Sequence, residues 1–181
     1  MFMSLKLLKL RLKIFFLTII GQIKQQRPKV KLNQDEGSNS KILIIFPSDE
    51  PSFRVACYSF RNIGNNTNRK NDMIFLVNNQ FKDIFHFGFG KTIYINNTKP
   101  SSILSDEKLI LNLIHHEQFQ LIIDLNTRFY LGISKLVSNI SCNMKIGFDS
   151  DFSDKFYNFQ LDISKSGVME KGFQQINGMI K

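Results

Sequence analysis

No acidic side chain occurs among the first 31 residues, which hold Lys6, Lys9, Arg11, Lys13, Lys24, Arg27, Lys29 and Lys31. These cations supply eight of the net +9 charges, and the remaining 150 of the 181 residues balance 16 basic against 15 acidic side chains. The pI near 9.6 therefore describes a basic arm and not a basic domain. That argues against nucleic acid as a partner, because such binders spread Lys and Arg over the folded surface that follows the phosphates.

Other absences are equally informative. The uncharged run over residues 14–23 is too short to span a bilayer, which takes about 20 apolar residues. No A-x-A-like site follows "TIIGQIKQQ", which counts against a cleaved signal peptide. "FPSDEPSF" contains no glycine, so no G-x-G-x-x-G dinucleotide loop opens after the first apolar run, and no cofactor is expected. There are two cysteines; Cys57 and Cys142 read as reduced packing residues in an α/β domain. In "FHFGFGKTIYIN", a phosphate-binding loop would need glycine at Phe85 and a helix after Gly90, Lys91 and Thr92. The segment instead leads into the strand-like "TIYI", so it reads as a glycine-rich turn.

What is present begins with the arm, "MFMSLKLLKLRLKIFFLTIIGQIK" over residues 1–24. Wound as an amphipathic helix, it gathers Lys6, Lys9 and Lys13 near one face and Leu5, Leu8, Leu12, Phe15, Phe16 and Ile19 near another. An interfacial membrane helix, a signal peptide and a helix packed on the domain are three uses of this pattern. The first would place Lys6, Lys9, Arg11, Lys13, Phe15 and Phe16 at an anionic membrane surface. Residues 25–40, "QQRPKVKLNQDEGSNS", lack periodicity and read as a linker.

From residue 41 to 181, strand-like and helix-like patterns alternate. "KILIIF", "DMIFLV", "KTIYIN", "FQLIIDL" and "MKIGF" are short β-branched runs of the kind covered on both faces, and "FYNFQLDI" resembles an edge strand. Between them, Phe53, Ala56, Cys57, Phe60 and Ile63 share one helical face, and "NNQFKDIF" suggests a short helix. Ser105 can cap a further helix with Asp106 and Glu107 in its first turn and Ile110, Leu113 and Ile114 as its stripe. Ile133, Leu136, Val137 and Ile140 mark another helix, and Val168, Phe173, Ile176 and Ile180 a terminal one weakened by Gly172 and Gly178. The pattern predicts an α/β fold: a single Rossmann-like open parallel sheet of order 3-2-1-4-5 with helices on both faces.

In such a sheet, Ser48, Asp49, Glu50 and Ser52 after the first strand converge with Asp124, Asn126 and Thr127 after the fourth, at the edge where ligands bind. A receiver-domain pocket would also need an Asp after the third strand and a Lys after the fifth, and "YINN" and "IGFDS" offer neither. Neighbouring His115, His116 and Glu117 diverge on a helix and read as a solvated end, so no metal site is expected.

"FQLIIDLNTRFYLGISKLVSNISCNMKIGFD" resembles the segment of family 9 glycosyltransferases, the ADP-heptose:lipopolysaccharide heptosyltransferases, in which a "YDLVIDLHG"-like strand, a helix and an "RIGF" strand follow one another. "KILIIFPSDEPSFRVACYSFRNI" is similar to that family's first strand and helix. The resemblance covers about residues 41–162 and implies the N-terminal, acceptor-side half of a two-domain GT-B fold. More loosely, the chain resembles short bacterial single-domain proteins with the same "IGF" strand. The family's general base is an Asp after a Gly, and Pro51 and Ser52 stand at that place here; a hydroxyl without a positioned base does not replace a carboxylate. Asp49 and Glu50 are the nearest substitutes.

The family binds its donor nucleotide mainly in a second domain, for which these 181 residues leave no length. The resemblance thus implies a non-catalytic domain on the cytoplasmic face of the membrane, binding a cell-envelope glycan, a glycolipid or a partner protein. The alternative is an acceptor-side component whose donor site comes from a second glycosyltransferase chain. Asp49, Glu50 and Ser52 are expected to be exposed at the sheet edge, so that alanine at any of them leaves stability nearly unchanged.

Overall fold

The computed structural model describes residues 5–24, 40–65, 70–96, 99–164 and 168–180. A six-stranded, all-parallel sheet is built from β1 (Lys41–Ile45), β2 (Met73–Asn78), β3 (Lys91–Ile95), β4 (Phe119–Asp124), β5 (Cys142–Phe148) and β6 (Phe159–Leu161). Its order is β3-β2-β1-β4-β5-β6. The expected 3-2-1-4-5 arrangement is present, and "FQL" of the expected edge strand joins it in parallel beside β5. Ile45 of β1 lies opposite Asp124 of β4, so the carboxyl ends of these strands are adjacent.

Strand alternation divides the apolar residues into two cores. Ile42, Ile44 and Phe46 point to the side covered by α2 (Glu50–Phe60) and α5 (Met169–Met179). Leu43 and Ile45 point to the side covered by α1 (Leu5–Ile19), α3 (Glu107–Ile114) and α4 (Leu131–Asn139). On the α2 side, the Phe46 ring lies edge-on to Phe53, Phe60, Phe75 and Phe85, with centroids 5.0 to 6.1 Å apart. The expected helix in "NNQFKDIF" is a single 3-10 turn, Asn79–Phe81. The Asn78 side chain closes that turn by accepting from the Gln80 amide, and the chain then runs on to bury Phe81 and Phe85 instead of continuing to coil. Gly90 enters β3 at φ +72°, where a Cβ would stand 2.8 Å from the Met73 carbonyl oxygen, so the glycine-rich turn is a steric requirement.

The helices depart from expectation in four places. Asp106, not Ser105, occupies the cap of α3 and makes no side-chain cap bond. Glu107 turns away from the helix dipole to a buried ion pair with Lys135 of α4, and its other oxygen accepts from Asn139 at 3.0 Å. Leu113 is exposed, because α3 is only eight residues long and rests on Ile110 and Ile114. Val168 lies before α5 and is also exposed. A Cβ on Gly172 of α5 would stand 2.8 Å from Ile163 Cγ2 and 3.0 Å from the Phe148 ring, so its absence lets the helix approach the sheet. Lys145 on β5 is 2% exposed and donates to the Val137 carbonyl at 2.8 Å, near the end of α4. Burial lowers its pKa to about 8, which Cys142 partly offsets and Lys24 reinforces.

α1 carries two apolar stripes. Ile14 and Leu17 are buried in the core shared with α3 and α4, Ile23 follows them, and Leu7 and Leu10 pack partly against it. Lys13 donates to the Ser101 carbonyl at 2.8 Å, and the Gln22 carbonyl accepts from Asn139 at 3.2 Å, which ties the helix to the domain at its middle and just past its C-terminus. The stripe read from the sequence faces outward: Leu5, Leu12, Phe15, Phe16 and Ile19 are each at least 60% exposed. No described helix is long and apolar enough to cross a membrane. Residues 25–39 of the expected linker lie outside the described residues; Ser40 is buried and donates to Gln120 at 3.0 Å. Neither cysteine forms a disulfide, and burial pushes the Cys57 thiol up to about 12, with Arg54 as a smaller opposing influence.

Candidate functional site at the carboxyl edge of the sheet

The turns after β1 and β4 meet as expected and are bonded to each other. The Ser48 amide donates to Asn126 Oδ1 at 2.8 Å, and the Ser48 carbonyl accepts from Gln80 after β2 at 3.1 Å. Asp49 is the N-cap of α2, in extended conformation with Pro51 in the first turn. Its Oδ1 accepts from the Ser52 amide at 3.1 Å and the Ser52 hydroxyl at 2.7 Å. Ser52 is 2% exposed, not exposed as expected, because its hydroxyl turns inward to the cap and the helix lies on the sheet. Asp49 Oδ2 is buried without a hydrogen bond. Glu50 is exposed and pairs with Arg54 one turn on, at 2.7 Å along the helix surface.

Asp124 lies deeper. Its Oδ1 accepts from the Asn126 amide at 2.9 Å and the Asn126 side chain at 2.6 Å, while Tyr157 donates its hydroxyl to Oδ2. Ser134 of α4 stands 3.2 Å from the same hydroxyl. Burial raises the Asp124 carboxyl above its ordinary 3.8, and the bonds from Tyr157 and Asn126 oppose that shift. Tyr157 is pushed well above 10 by its own burial and then by the Asp124 charge. Tyr130, next along the edge, is raised by burial and by nearby Asp49, against the influence of Arg128. The cavity enclosed by Asp124, Thr127, Arg128, Tyr130 and Tyr157 measures about 10 Å³, room for one water and not for a sugar ring.

Ser48, Asp49, Ser52, Asp124 and Asn126 are thus brought together, but mostly as partners of one another, and Thr127 lines the small cavity. Glu50 stands apart on the outer surface of α2. Tyr157 and Ser134 are the members that sequence reasoning missed; 33 and 23 residues separate the bonded partners, and no local motif joins them. Of the arm, Lys6, Lys9, Arg11, Lys13, Phe15 and Phe16 are all exposed on α1. His115 and His116 do not diverge as expected, because α3 ends there: their rings lie 3.4 Å apart between centroids, both exposed. Among the described residues, no group of three or more His, Cys, Asp and Glu side chains is placed to hold a metal ion.

Comparison of the chain with protein-family models, with curated proteins and with solved structures finds no match.

Proposed function

We propose that this protein is a peripheral membrane domain of the glycosyltransferase-like α/β kind, held on the cytoplasmic face of an anionic membrane by α1, and that it binds an envelope glycan or glycolipid without transferring sugar. The observation that carries the reading is the outward stripe of α1, from Leu5 to Ile19, flanked by Lys9 and Arg11 on a helix already fixed to the domain by a different stripe. Exposed aromatic and aliphatic side chains bordered by cations suit the boundary between headgroups and acyl chains. Each Lys or Arg held near an anionic leaflet contributes roughly 1 kcal/mol.

The resemblance of the β1–α2 and β4–α4–β5 segments to family 9 glycosyltransferases supports the glycan class. The use of Asp49 Oδ1 as a helix cap and the burial of Asp124 under Tyr157 support a binding role over proton transfer, since both carboxylates are committed to fixed partners.

Vesicle flotation of the full chain tests the membrane part. Binding to vesicles containing phosphatidylglycerol, lost in the Phe15→Ser/Phe16→Ser variant, is expected. Equal recovery of both proteins would overturn it. Release of nucleotide from an ADP-sugar by the purified chain would overturn the non-catalytic part.

A further inference from the structure

We infer that the groove between α1 and the 99–101 turn is a headgroup site for a lipid bearing a phosphomonoester, an inference that rests on the membrane reading above. The groove measures about 680 Å³, within the range of small-molecule sites. Lys6, Lys9, Lys13 and Lys99 line it, and among the described residues no carboxylate does. Its floor is apolar, from Leu7 and Leu10 on the helix and Pro100 on the turn.

Four ammonium groups around one open groove raise each other's electrostatic energy, and a counter-anion of more than unit charge relieves that best. A phosphomonoester is close to dianionic near neutral pH and offers three acceptor oxygens, whereas a phosphodiester headgroup carries one charge. Lysine suits it as a compact cation with three donors. The Lys13 amine is already oriented by its bond to the Ser101 carbonyl at 2.8 Å and keeps its other two donors for a ligand.

Position supplies the second argument. At 3.6 residues per turn, Lys6, Lys9 and Lys13 fall between the outward stripe and the docked stripe of α1. A helix whose outward stripe lies at the acyl boundary therefore holds these amines at headgroup level, between the bilayer and the docked stripe.

The test is a calorimetric titration of the full chain with monomeric short-chain phosphatidate, run beside inorganic phosphate and short-chain phosphatidylcholine. Saturable phosphatidate binding, at least roughly tenfold tighter than either control, is expected. It should weaken by about tenfold in the Lys13→Gln/Lys99→Gln variant, and not in Arg11→Gln on the other flank of the stripe. Unchanged thermal melting in both variants keeps the comparison valid, since all three side chains are exposed.

Equal affinity for phosphatidate and inorganic phosphate would reduce the groove to an anion site and overturn the lipid assignment. Absence of phosphatidate binding would overturn the inference even if vesicles are bound. Phosphatidate binding that survives in Phe15→Ser/Phe16→Ser supports the groove independently of the membrane reading. A dimer that forms with concentration and is lost in Lys13→Gln/Lys99→Gln would give the groove to a second copy and overturn it.

Discussion

Tyr157 lies flat against Gly147 of β5 and donates its hydroxyl to Asp124 at the end of β4, so that the ring bridges two strands under the sheet's carboxyl edge. A Cβ on residue 147 would stand 2.8 Å from the ring, and glycine is what lets the ring reach the carboxylate. The pair holds a buried ionisable group at the place where an open α/β sheet meets its ligands.

That placement gives stability a pH dependence of definite sign. The folded Asp124 carboxyl titrates above its ordinary 3.8, so the native state binds more protons than the unfolded chain just above that pH. The contribution of this group is full below 3.8 and is lost as pH rises through the folded value. Urea unfolding of Asp124→Asn, followed from pH 3 to 7, should lack this falling component. Tyr157→Phe should cost roughly 1–3 kcal/mol by leaving the carboxylate short of a donor.

Lys145 acts in the opposite direction. Its folded pKa of about 8 lies below the ordinary 10.5, so the unfolded chain binds more protons between those values, and stability rises with pH across that window. Lys145→Met removes the rise. Denaturation midpoints that climb equally for wild type and variant between pH 8 and 10.5 would contradict this assignment.

The capping bonds of Asp49 and the burial of Ser52 predict that α2 is sensitive to substitution here, where the sequence suggested near neutrality. Asp49→Ala should lower stability by ~1 kcal/mol and Asp49→Asn by much less, since the amide oxygen can still accept from the Ser52 amide. Ser52→Ala should cost a similar ~1 kcal/mol through the buried hydroxyl. Thermal melts of the three variants rank them.

The Glu107–Lys135 pair joins α3 to α4 with about a tenth of each side chain exposed. Removing one partner leaves the other charged and buried, so Lys135→Met should destabilise by roughly 3 kcal/mol. The double variant Glu107→Leu/Lys135→Met should recover most of that loss. A double variant as unstable as the single one would mean that the effect is packing and not charge.

The sheet was legible because its strands are short β-branched runs, and the inner ones are buried on both faces, as Met73 through Asn78 are at every position, while β3 at the edge is only partly buried. Adjacent strand ends followed from topology, which is why Ser48, Asp49, Asp124 and Asn126 were placed together correctly. Their bonding was not legible. Whether Ser52 faces solvent or its own cap depends on a side-chain torsion, and the partners of Asp124, Glu107 and Lys145 come from distant or opposed segments. On α1, residues 5, 8, 12, 15, 16 and 19 dominated the reading, and the narrower stripe of Leu7, Leu10, Ile14 and Leu17 was hidden in a helix apolar on two sides.

That second stripe changes what the helix can be. A tether joined only by a flexible link can be cut and its domain released intact, but Ile14 and Leu17 are part of the same core as Ile114 and Leu136. Stripping α1 away would bare that core, so a chain lacking its basic arm is a damaged fold and not a detached one, and loss of vesicle binding in such a truncation has two causes at once. It also leaves the helix little freedom to swivel: a bilayer gripping Phe15 and Phe16 would orient the sheet itself, and the carboxyl edge would meet the surface at one fixed attitude.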